Sequence, residues 1–144
     1  MSVLLDATSQ PQSRMRPLVV VAGHGADQRS RVGLPLASLG FDVISAVDGL
    51  DALDAVLSHG PDAIVADLDM PILDGLGLCR ALRALRGSMR LPIIVYTATD
   101  RCDPRLRDAG ALHRAQIIGT ARGITVVGER LRKMIGVAGG AAAA

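Results

Sequence analysis

Apolar residues in this chain form short unbroken runs and longer segments with helical spacing. The unbroken runs predict five strands, at residues 17–23, 41–47, 63–67, 91–97 and 115–120. Apolar positions that recur every three or four residues predict five helices, at residues 27–39, 50–59, 76–86, 104–109 and 124–135. The first run, PLVVVAG, is typical of a strand buried on both faces. This alternation predicts an α/β fold, a doubly wound five-stranded parallel sheet covered by helices on both faces.

Capping and turn residues mark several of the predicted helix ends. Asp27 is placed to cap the first helix. That helix contains Pro35 and is expected to be kinked or shortened there, because proline lacks an N–H donor. Gly60 is expected to end the second helix. The pair Asp103-Pro104 is expected to begin the fourth helix, since proline suits the first helical position.

A carboxylate ends the third predicted strand, in the stretch IVADLDMPILDG at residues 64–75. This residue is Asp67, and it is a candidate for chemistry because a carboxylate beside a buried strand is costly unless it is paired or used. In parallel sheets, ligands and reactive groups gather outside the carboxyl ends of the strands. Gly23 and His24 follow the first strand, and Thr97 ends the fourth. We therefore expect these residues to converge with Asp67 at one edge of the sheet.

Residues 61–83, PDAIVADLDMPILDGLGLCRALR, resemble the phosphoacceptor strand, proline loop and following helix of the receiver domains of bacterial response regulators. The stretches GFDVISAVDGLDAL and LPIIVYTA are similar to the second and fourth strands of that family. The resemblance covers about residues 17–136 and implies a flavodoxin-like fold with strand order 2-1-3-4-5. Outside it we expect a flexible N-terminal segment, residues 1–16, and a low-complexity tail, residues 137–144.

The resemblance implies a role for three residues. Asp67 would accept a phosphoryl group from a histidine kinase or a phosphotransfer protein and form an acyl phosphate. Asp69 would help to bind Mg²⁺ through its backbone carbonyl, together with the Asp67 carboxylate. Thr97 would be the switch hydroxyl that turns toward the new phosphoryl oxygens. A downstream protein would then bind the face formed by the fourth helix, the fifth strand and the fifth helix.

Two features of the family are missing from this chain. Gly23 and His24 stand where the family has two acidic metal ligands. Ile117 and Ile118 fall near the position of the family's Lys-Pro pair, and the only lysine of the chain is Lys133. Since a hard cation prefers oxygen ligands, the resemblance implies a weakened Mg²⁺ site at Asp67.

The sequence leaves open what replaces the lost charges. A protonated His24 can pair with Asp67 or Asp69 in place of a cation, or can bind a transition metal together with them. The alternative is that His24 is a solvent-facing loop residue. An arginine such as Arg114 or Arg122 can stand in for the missing lysine.

Charge is distributed unevenly along the chain. Residues 1–100 hold eight Arg and eleven Asp, a net charge of −3. Residues 101–144 hold seven Arg, one Lys, two Asp and one Glu, a net charge of +5. This basic third can meet an acidic partner, or it can be a solvated helix face. Nucleic-acid binding is not expected, because Phe41 and Tyr96 are the only aromatic residues and provide no stacking platform.

Other features argue against membrane and metal-centre classes. The chain has no apolar run near 18 residues, so no membrane span is expected. Its first 16 residues lack the pattern of a signal peptide, which indicates a cytoplasmic location. Cys79 and Cys102 form no CxxC pair and have no metal-ligand spacing with the three histidines. Both cysteines are expected to be reduced thiols.

Three hypotheses of function follow. The first is a stand-alone receiver in phosphorelay signalling, since the chain ends nine residues after the last predicted helix. The second is a phosphorylation-independent pseudo-receiver that acts as a protein–protein interaction module. The third is an enzyme that binds a nucleotide or flavin on the same fold. AGHGADQR, after the first strand, matches neither GxGxxG nor GxxxxGK[ST], so no enzymatic activity is expected. A homodimer is left open.

Overall fold

A computed structural model describes residues 15–99 and 102–136 of the chain. Five parallel strands form one sheet in the order β2-β1-β3-β4-β5, which confirms the predicted α/β fold and strand order. The strands are β1 (Leu18–Ala22), β2 (Asp42–Ala46), β3 (Ala63–Ala66), β4 (Ile93–Thr97) and β5 (Gln116–Gly119). The helices are α1 (Ala26–Ser38), α2 (Gly49–His59), α3 (Gly75–Ala84), α4 (Pro104–His113) and α5 (Ile124–Ile135). Short 3₁₀ turns lie at Arg86–Ser88 and Thr120–Arg122.

The sheet is covered on both faces because side chains alternate along each buried strand. On one face Val20, Ile64 and Val95 pack with α2, α3 and α4. On the other face Val21 and Ile94, among others, pack with α1 and α5. Burying both faces explains why the strands read as unbroken apolar runs. No helix in the described part of the chain is long and apolar enough to cross a membrane.

Two boundary predictions for the helices were wrong, those for Asp27 and for the end of α4, and the shortening expected at Pro35 is not observed. Asp27 does not cap α1, because Gly25 is the N-cap residue and Asp27 lies within the first turn. Pro35 does not shorten α1, which continues through it to Ser38. Helix α4 extends past the predicted end at Ala109 to His113. The helix passes through Gly110, since a glycine inside a helix costs only about 1 kcal/mol.

Other predicted ends were confirmed. Gly60 ends α2 in the left-handed conformation, with φ of 55°. Asp103 caps α4 by accepting a hydrogen bond from the backbone N–H of Arg105, and Pro104 follows at the first helical position. Cys79 is buried in the core, and this burial raises the pKa of its thiol to about 12.

The loop between β3 and α3 crosses closely over the end of β3. The backbone N–H of Gly75 donates to the carbonyl of Leu68 at 2.8 Å. A Cβ atom at Gly75 would lie 2.8 Å from the carbonyl oxygen of Asp67 and 2.9 Å from the Cα atom of Leu68. Asp74 then caps α3 by accepting a hydrogen bond from the N–H of Gly77. Glycine at position 75 therefore lets the start of α3 pack directly against the backbone of Asp67.

Candidate functional site

A cleft of about 500 Å³ opens at the carboxyl ends of β1, β3, β4 and β5. Its walls include Gly23, Gln28, Arg29, Asp67, Thr97 and Thr120. The parallel topology brings these residues together from four strand ends and from the first turn of α1, although they are distant in the sequence. Of the residues expected to converge with Asp67, Gly23 and Thr97 line the cleft and His24 does not.

Asp67 is the first residue after β3 and is half-buried. Its backbone N–H donates to the carbonyl of Ala22 at 3.1 Å, which extends the pairing with β1 by one residue. Its Oδ1 atom accepts a hydrogen bond from the N–H of Leu68 at 2.8 Å. Its Oδ2 atom accepts one from Nε2 of Gln28 at 2.5 Å. The carboxylate is therefore held in a fixed orientation at the floor of the cleft.

Thr97 is the first member of a chain of hydrogen bonds along the rim of the cleft. Its buried hydroxyl donates to Oγ1 of Thr99 at 3.0 Å and accepts from the N–H of Thr99 at 3.1 Å. The hydroxyl of Thr99 in turn donates to Oδ2 of Asp69 at 2.6 Å. The Thr97 hydroxyl is thus connected to the Asp69 side chain through Thr99.

Arg105, in the first turn of α4, binds three carboxylates. Its guanidinium contacts Asp69 at 2.9 Å, Asp74 at 3.1 Å and Asp103 at 2.8 Å. The hydrogen bond from Thr99 and then those from Arg105 lower the pKa of Asp69. The hydrogen bonds from Arg105 also lower the pKa of Asp103, and the three carboxylates raise the pKa of Arg105 itself. We call this group the Arg105 clamp, since it joins the loop after β3 to the N-termini of α3 and α4.

Neither of the cation roles considered for His24 is observed at positions 23 and 24, where the resemblance implies that the family has two acidic residues. Gly23 is buried, and its carbonyl accepts a hydrogen bond from Nη1 of Arg29 at 2.8 Å. The same Nη1 atom donates to the carbonyl of His24 at 3.1 Å. His24 is exposed, and no ion pair joins its ring to Asp67 or Asp69, all three of which the structure describes. His24 is therefore a solvent-facing loop residue, and its pairing with either carboxylate is not observed.

Strand β5 ends at Gly119, one residue before the predicted end at residue 120. Ile117 and Ile118 are inside the strand, and Gly119 is the register partner of Thr97. Thr120 reaches the cleft, and its carbonyl accepts a weak hydrogen bond from the Tyr96 hydroxyl at 3.4 Å. The expected alignment of the isoleucine pair with the site was wrong, because their apolar side chains belong to the core.

Neither arginine suggested as a lysine substitute lies at the cleft. Arg114 donates to the carbonyl of Met89 at 2.7 Å, in the segment that precedes β4 rather than at its carboxyl end. Arg122 is exposed in the 3₁₀ turn and is absent from the walls of the cleft. Within the described part of the chain, the arginines that line the cleft come from α1, at positions 29 and 31.

Residues 19–113 match the family model of the response regulator receiver domain. The chain belongs to the response-regulator receiver family. Response regulator MprA of Mycobacterium avium is 49% identical to this receiver over 99 residues, which are 67% of this chain and 42% of MprA. Transcriptional regulatory protein PrrA of Mycobacterium tuberculosis is 38% identical over 97 residues, 66% of this chain and 41% of PrrA. This receiver spans about two fifths of the length of the curated relatives it matches.

Solved receiver structures share the fold. The receiver domain of sensor histidine kinase PA1611 from Pseudomonas aeruginosa has a TM-score of 0.75 at 25% identity, over 84% of this chain and 98% of that chain. That structure has a magnesium ion coordinated in its active site cleft. Chemotaxis response regulator CheY4 of Vibrio cholerae has a TM-score of 0.72 at 22% identity, over 83% of this chain and 98% of that chain.

Receiver domains typically bind Mg²⁺ in this cleft, but the side chains of this receiver do not fit a strong Mg²⁺ site. Mg²⁺ requires near-octahedral oxygen ligands, usually with one or two carboxylates. Gly23 and His24 offer no carboxylate, so only the Asp67 carboxylate and the Asp69 backbone carbonyl remain of the ligands that the resemblance implies, and both Asp67 oxygens already accept hydrogen bonds from Gln28 and Leu68. Within residues 15–99 and 102–136, no group of three or more His, Cys, Asp or Glu side chains is placed to hold a metal ion.

The sequence did not reveal four residues that shape this site: Gln28, Arg29, Thr99 and Arg105. Thr99 and Arg105 carried weak signals, since Thr99 lies two residues after Thr97 and Arg105 follows the predicted Asp103-Pro104 cap. For Gln28 and Arg29 the only signal was their position in the first turn of the helix after Gly23. Their roles depend on the fold, which turns both side chains back over the end of β1.

Proposed function

We propose that this receiver accepts a phosphoryl group on Asp67 from a histidine kinase or a phosphotransfer protein, as part of two-component signalling. The observation that supports this most is the place of Asp67, a half-buried carboxylate at the carboxyl end of the central strand and open to a cleft. A carboxylate oxygen can attack the phosphorus atom of a phosphohistidine donor and form an acyl phosphate, while the histidine nitrogen leaves with the electron pair of the broken P–N bond.

Thr97 provides the route by which the phosphoryl group changes the surface. Its hydroxyl now bonds to Thr99, and through Thr99 it is connected to Asp69 and the Arg105 clamp. Phosphoryl oxygens at Asp67 would compete with Thr99 for the Thr97 hydroxyl, because charged acceptors form stronger hydrogen bonds than a neutral hydroxyl. The change would reach the N-terminus of α4 through the clamp.

The face formed by α4, β5 and α5 is the surface that we assign to a downstream protein. Leu112 of α4 is 67% exposed, and Lys133 of α5 is exposed. Two arginines of α5 are already used within the chain. Arg132 binds the carbonyl of Leu39 and lies over the Phe41 ring, and Arg130 binds the side chain of Gln116. The basic third is therefore only partly available to an acidic partner.

Incubation with acetyl phosphate, read out by intact mass, tests the proposal. We expect a phosphoryl adduct on the wild-type chain and none on Asp67→Asn, since an amide cannot form the acyl phosphate. Asp54→Asn, an exposed position on α2, is the matched control and should retain the adduct. An adduct of equal yield on Asp67→Asn would contradict the assignment.

A second candidate function is a phosphorylation-independent interaction module. It is favoured by the bond from Gln28 to Oδ2 of Asp67 at 2.5 Å, which together with the bond from Leu68 to Oδ1 means that both carboxylate oxygens already accept a hydrogen bond. In that case the wild-type chain would acquire no adduct from acetyl phosphate or from a kinase. Binding of a downstream protein would then be the same for the wild-type chain and for Asp67→Asn.

A further inference from the structure

The space beside Gly23 is already filled by the first turn of α1. A Cβ atom on Gly23 would lie 3.2 Å from Oε1 of Gln28 and 3.5 Å from Cγ of Arg29. These two side chains therefore occupy the volume that an acidic side chain at position 23 would need. The absence of a carboxylate at position 23 is therefore linked to the presence of Gln28 and Arg29 in this space.

Arg29 is anchored in that space by the backbone. Its Nη1 atom donates to the carbonyls of Gly23 and His24, at 2.8 Å and 3.1 Å. A guanidinium has five N–H donors in a planar fork, so these two bonds involve one of its three nitrogen atoms. The anchored cation lines the same cleft as Asp67 and Thr97. This places a positive charge on the side of the cleft where the family has its metal ligands.

Gln28 orients the Asp67 carboxylate through a hydrogen bond but brings no positive charge to balance it. Its amide donates to Oδ2 of Asp67, and the N–H of Leu68 donates to Oδ1. Both bonds come from neutral donors, so the cations that line the cleft have to balance the charge of an incoming phosphoryl group. Among the residues that the structure describes, these cations are Arg29 and the exposed Arg31, of which Arg29 is the half-buried one fixed by two carbonyls.

We propose that the guanidinium of Arg29 takes the place of the divalent cation in this receiver, so that a phosphoryl group or its mimic binds at Asp67 without Mg²⁺. Arginine suits this role because its fork pairs with phosphate oxygens through two hydrogen bonds and its charge does not depend on pH in the ordinary range. The inference rests on the proposed function of Asp67, and it adds the source of the positive charge.

The transfer step balances without a metal. An oxygen of the Asp67 carboxylate forms a bond to the phosphorus atom of acetyl phosphate. The bond from phosphorus to the acetyl oxygen breaks, and acetate leaves with that electron pair. Arg29 would donate hydrogen bonds to the non-bridging oxygens of the transferred group, where negative charge is concentrated.

Binding of beryllofluoride, a mimic of the phosphoryl group, tests the inference without a transfer step. The probe would be titrated into the full ¹⁵N-labelled chain in EDTA and in Mg²⁺, and followed by the amide signals of the cleft. We expect dissociation constants within about twofold of each other in the two conditions, because a charge fixed by Arg29 is present in both. Arg29→Met should bind at least tenfold more weakly in EDTA.

Two variants separate charge from folding. Arg80→Met removes one arginine from an exposed position of α3 outside the cleft, and it should bind as the wild type does. Arg29→Lys keeps the charge but loses the planar fork, so its affinity should fall between those of wild type and Arg29→Met. If Arg29→Lys binds no better than Arg29→Met, the charge at position 29 is not what holds the ligand and the inference is overturned.

The outcomes distinguish this inference from the proposed function. Binding by the wild type in EDTA that is lost in Arg29→Met supports the inference. Binding that requires Mg²⁺ overturns it and leaves Asp67 as the acceptor. Absence of binding in both conditions, together with no adduct from acetyl phosphate, overturns the proposed function and the inference with it.

Discussion

Gly75→Ala is expected to lower the free energy of unfolding by about 3 kcal/mol, the upper part of the range for an added methyl group in a packed site. The new Cβ atom would lie 2.8 Å from the carbonyl oxygen of Asp67 and 2.9 Å from the Cα atom of Leu68. Both are backbone atoms, so neither can move aside by changing a rotamer. The clash is relieved only if α3 moves away from the end of β3. That movement also breaks the hydrogen bond from the N–H of Gly75 to the carbonyl of Leu68.

Urea unfolding followed by far-UV circular dichroism measures this effect. Gly87→Ala is the matched control, because a Cβ atom there has nothing within 4 Å and the glycine lies in an exposed 3₁₀ turn. It should change the free energy of unfolding by less than about 0.5 kcal/mol. Equal stability of Gly75→Ala and Gly87→Ala would mean that the contact between α3 and Asp67 is looser than described.

Arg105→Met is expected to lower the free energy of unfolding by about 2 kcal/mol at pH 7. The value lies between about 0.5 kcal/mol for an exposed ion pair and about 3 to 5 kcal/mol for breaking a buried one. The side chain of Arg105 is one-third exposed, at 33%, and the variant leaves three carboxylates close together without their cation. Methionine retains most of the aliphatic packing, so the loss reports mainly the charge.

The effect should depend on pH in a defined direction. The pKa values of Asp69 and Asp103 are lowered in the folded chain, by Thr99 and Arg105 for Asp69 and by Arg105 for Asp103. The stabilisation from a lowered carboxylate pKa is present above the unfolded value, about 3.9, and is lost as the pH falls through the folded value. The difference between wild type and Arg105→Met should therefore be largest at neutral pH and shrink below about pH 4.

Unfolding curves of both proteins across this pH range test that prediction. Arg107→Met removes an exposed arginine from the same helix and serves as the control, with a difference from wild type that should stay small at every pH. A deficit in Arg105→Met that stays constant down to about pH 3 would show that the lost stability comes from packing and not from the carboxylates.

The periodicity of the sequence was sufficient to predict the strands and helices of the fold. Strands buried on both faces are unbroken apolar runs, and amphipathic helices have their own repeat, so the predicted order and number of elements agree with the structure. The ends were less well determined. Ile117 and Ile118 appeared to reach the site, but the end of β5 is set by its pairing with β4, in which Gly119 lies beside Thr97.

The hydrogen bonds of the site could not be predicted in the same way. Gln28 and Asp67 are 39 positions apart, and Asp69 and Arg105 are 36 apart. Such bonds depend on which rotamers fit once the elements have packed, and hydrophobic spacing carries no information on this. The resemblance implied that two acids and a lysine of the family are missing, but only the fold shows that the Arg29 side chain lies beside Gly23.

The measurement that tests the central claim most directly is peptide mapping of the wild-type chain after incubation with acetyl phosphate and reduction with borohydride. Borohydride converts an aspartyl phosphate to homoserine and leaves ordinary aspartate unchanged, so it identifies the residue that carried the phosphoryl group. We predict homoserine at position 67 and at no other aspartate of the cleft. Homoserine at position 69 instead, or unreduced aspartate at position 67 in a chain that carries the adduct, would contradict the account.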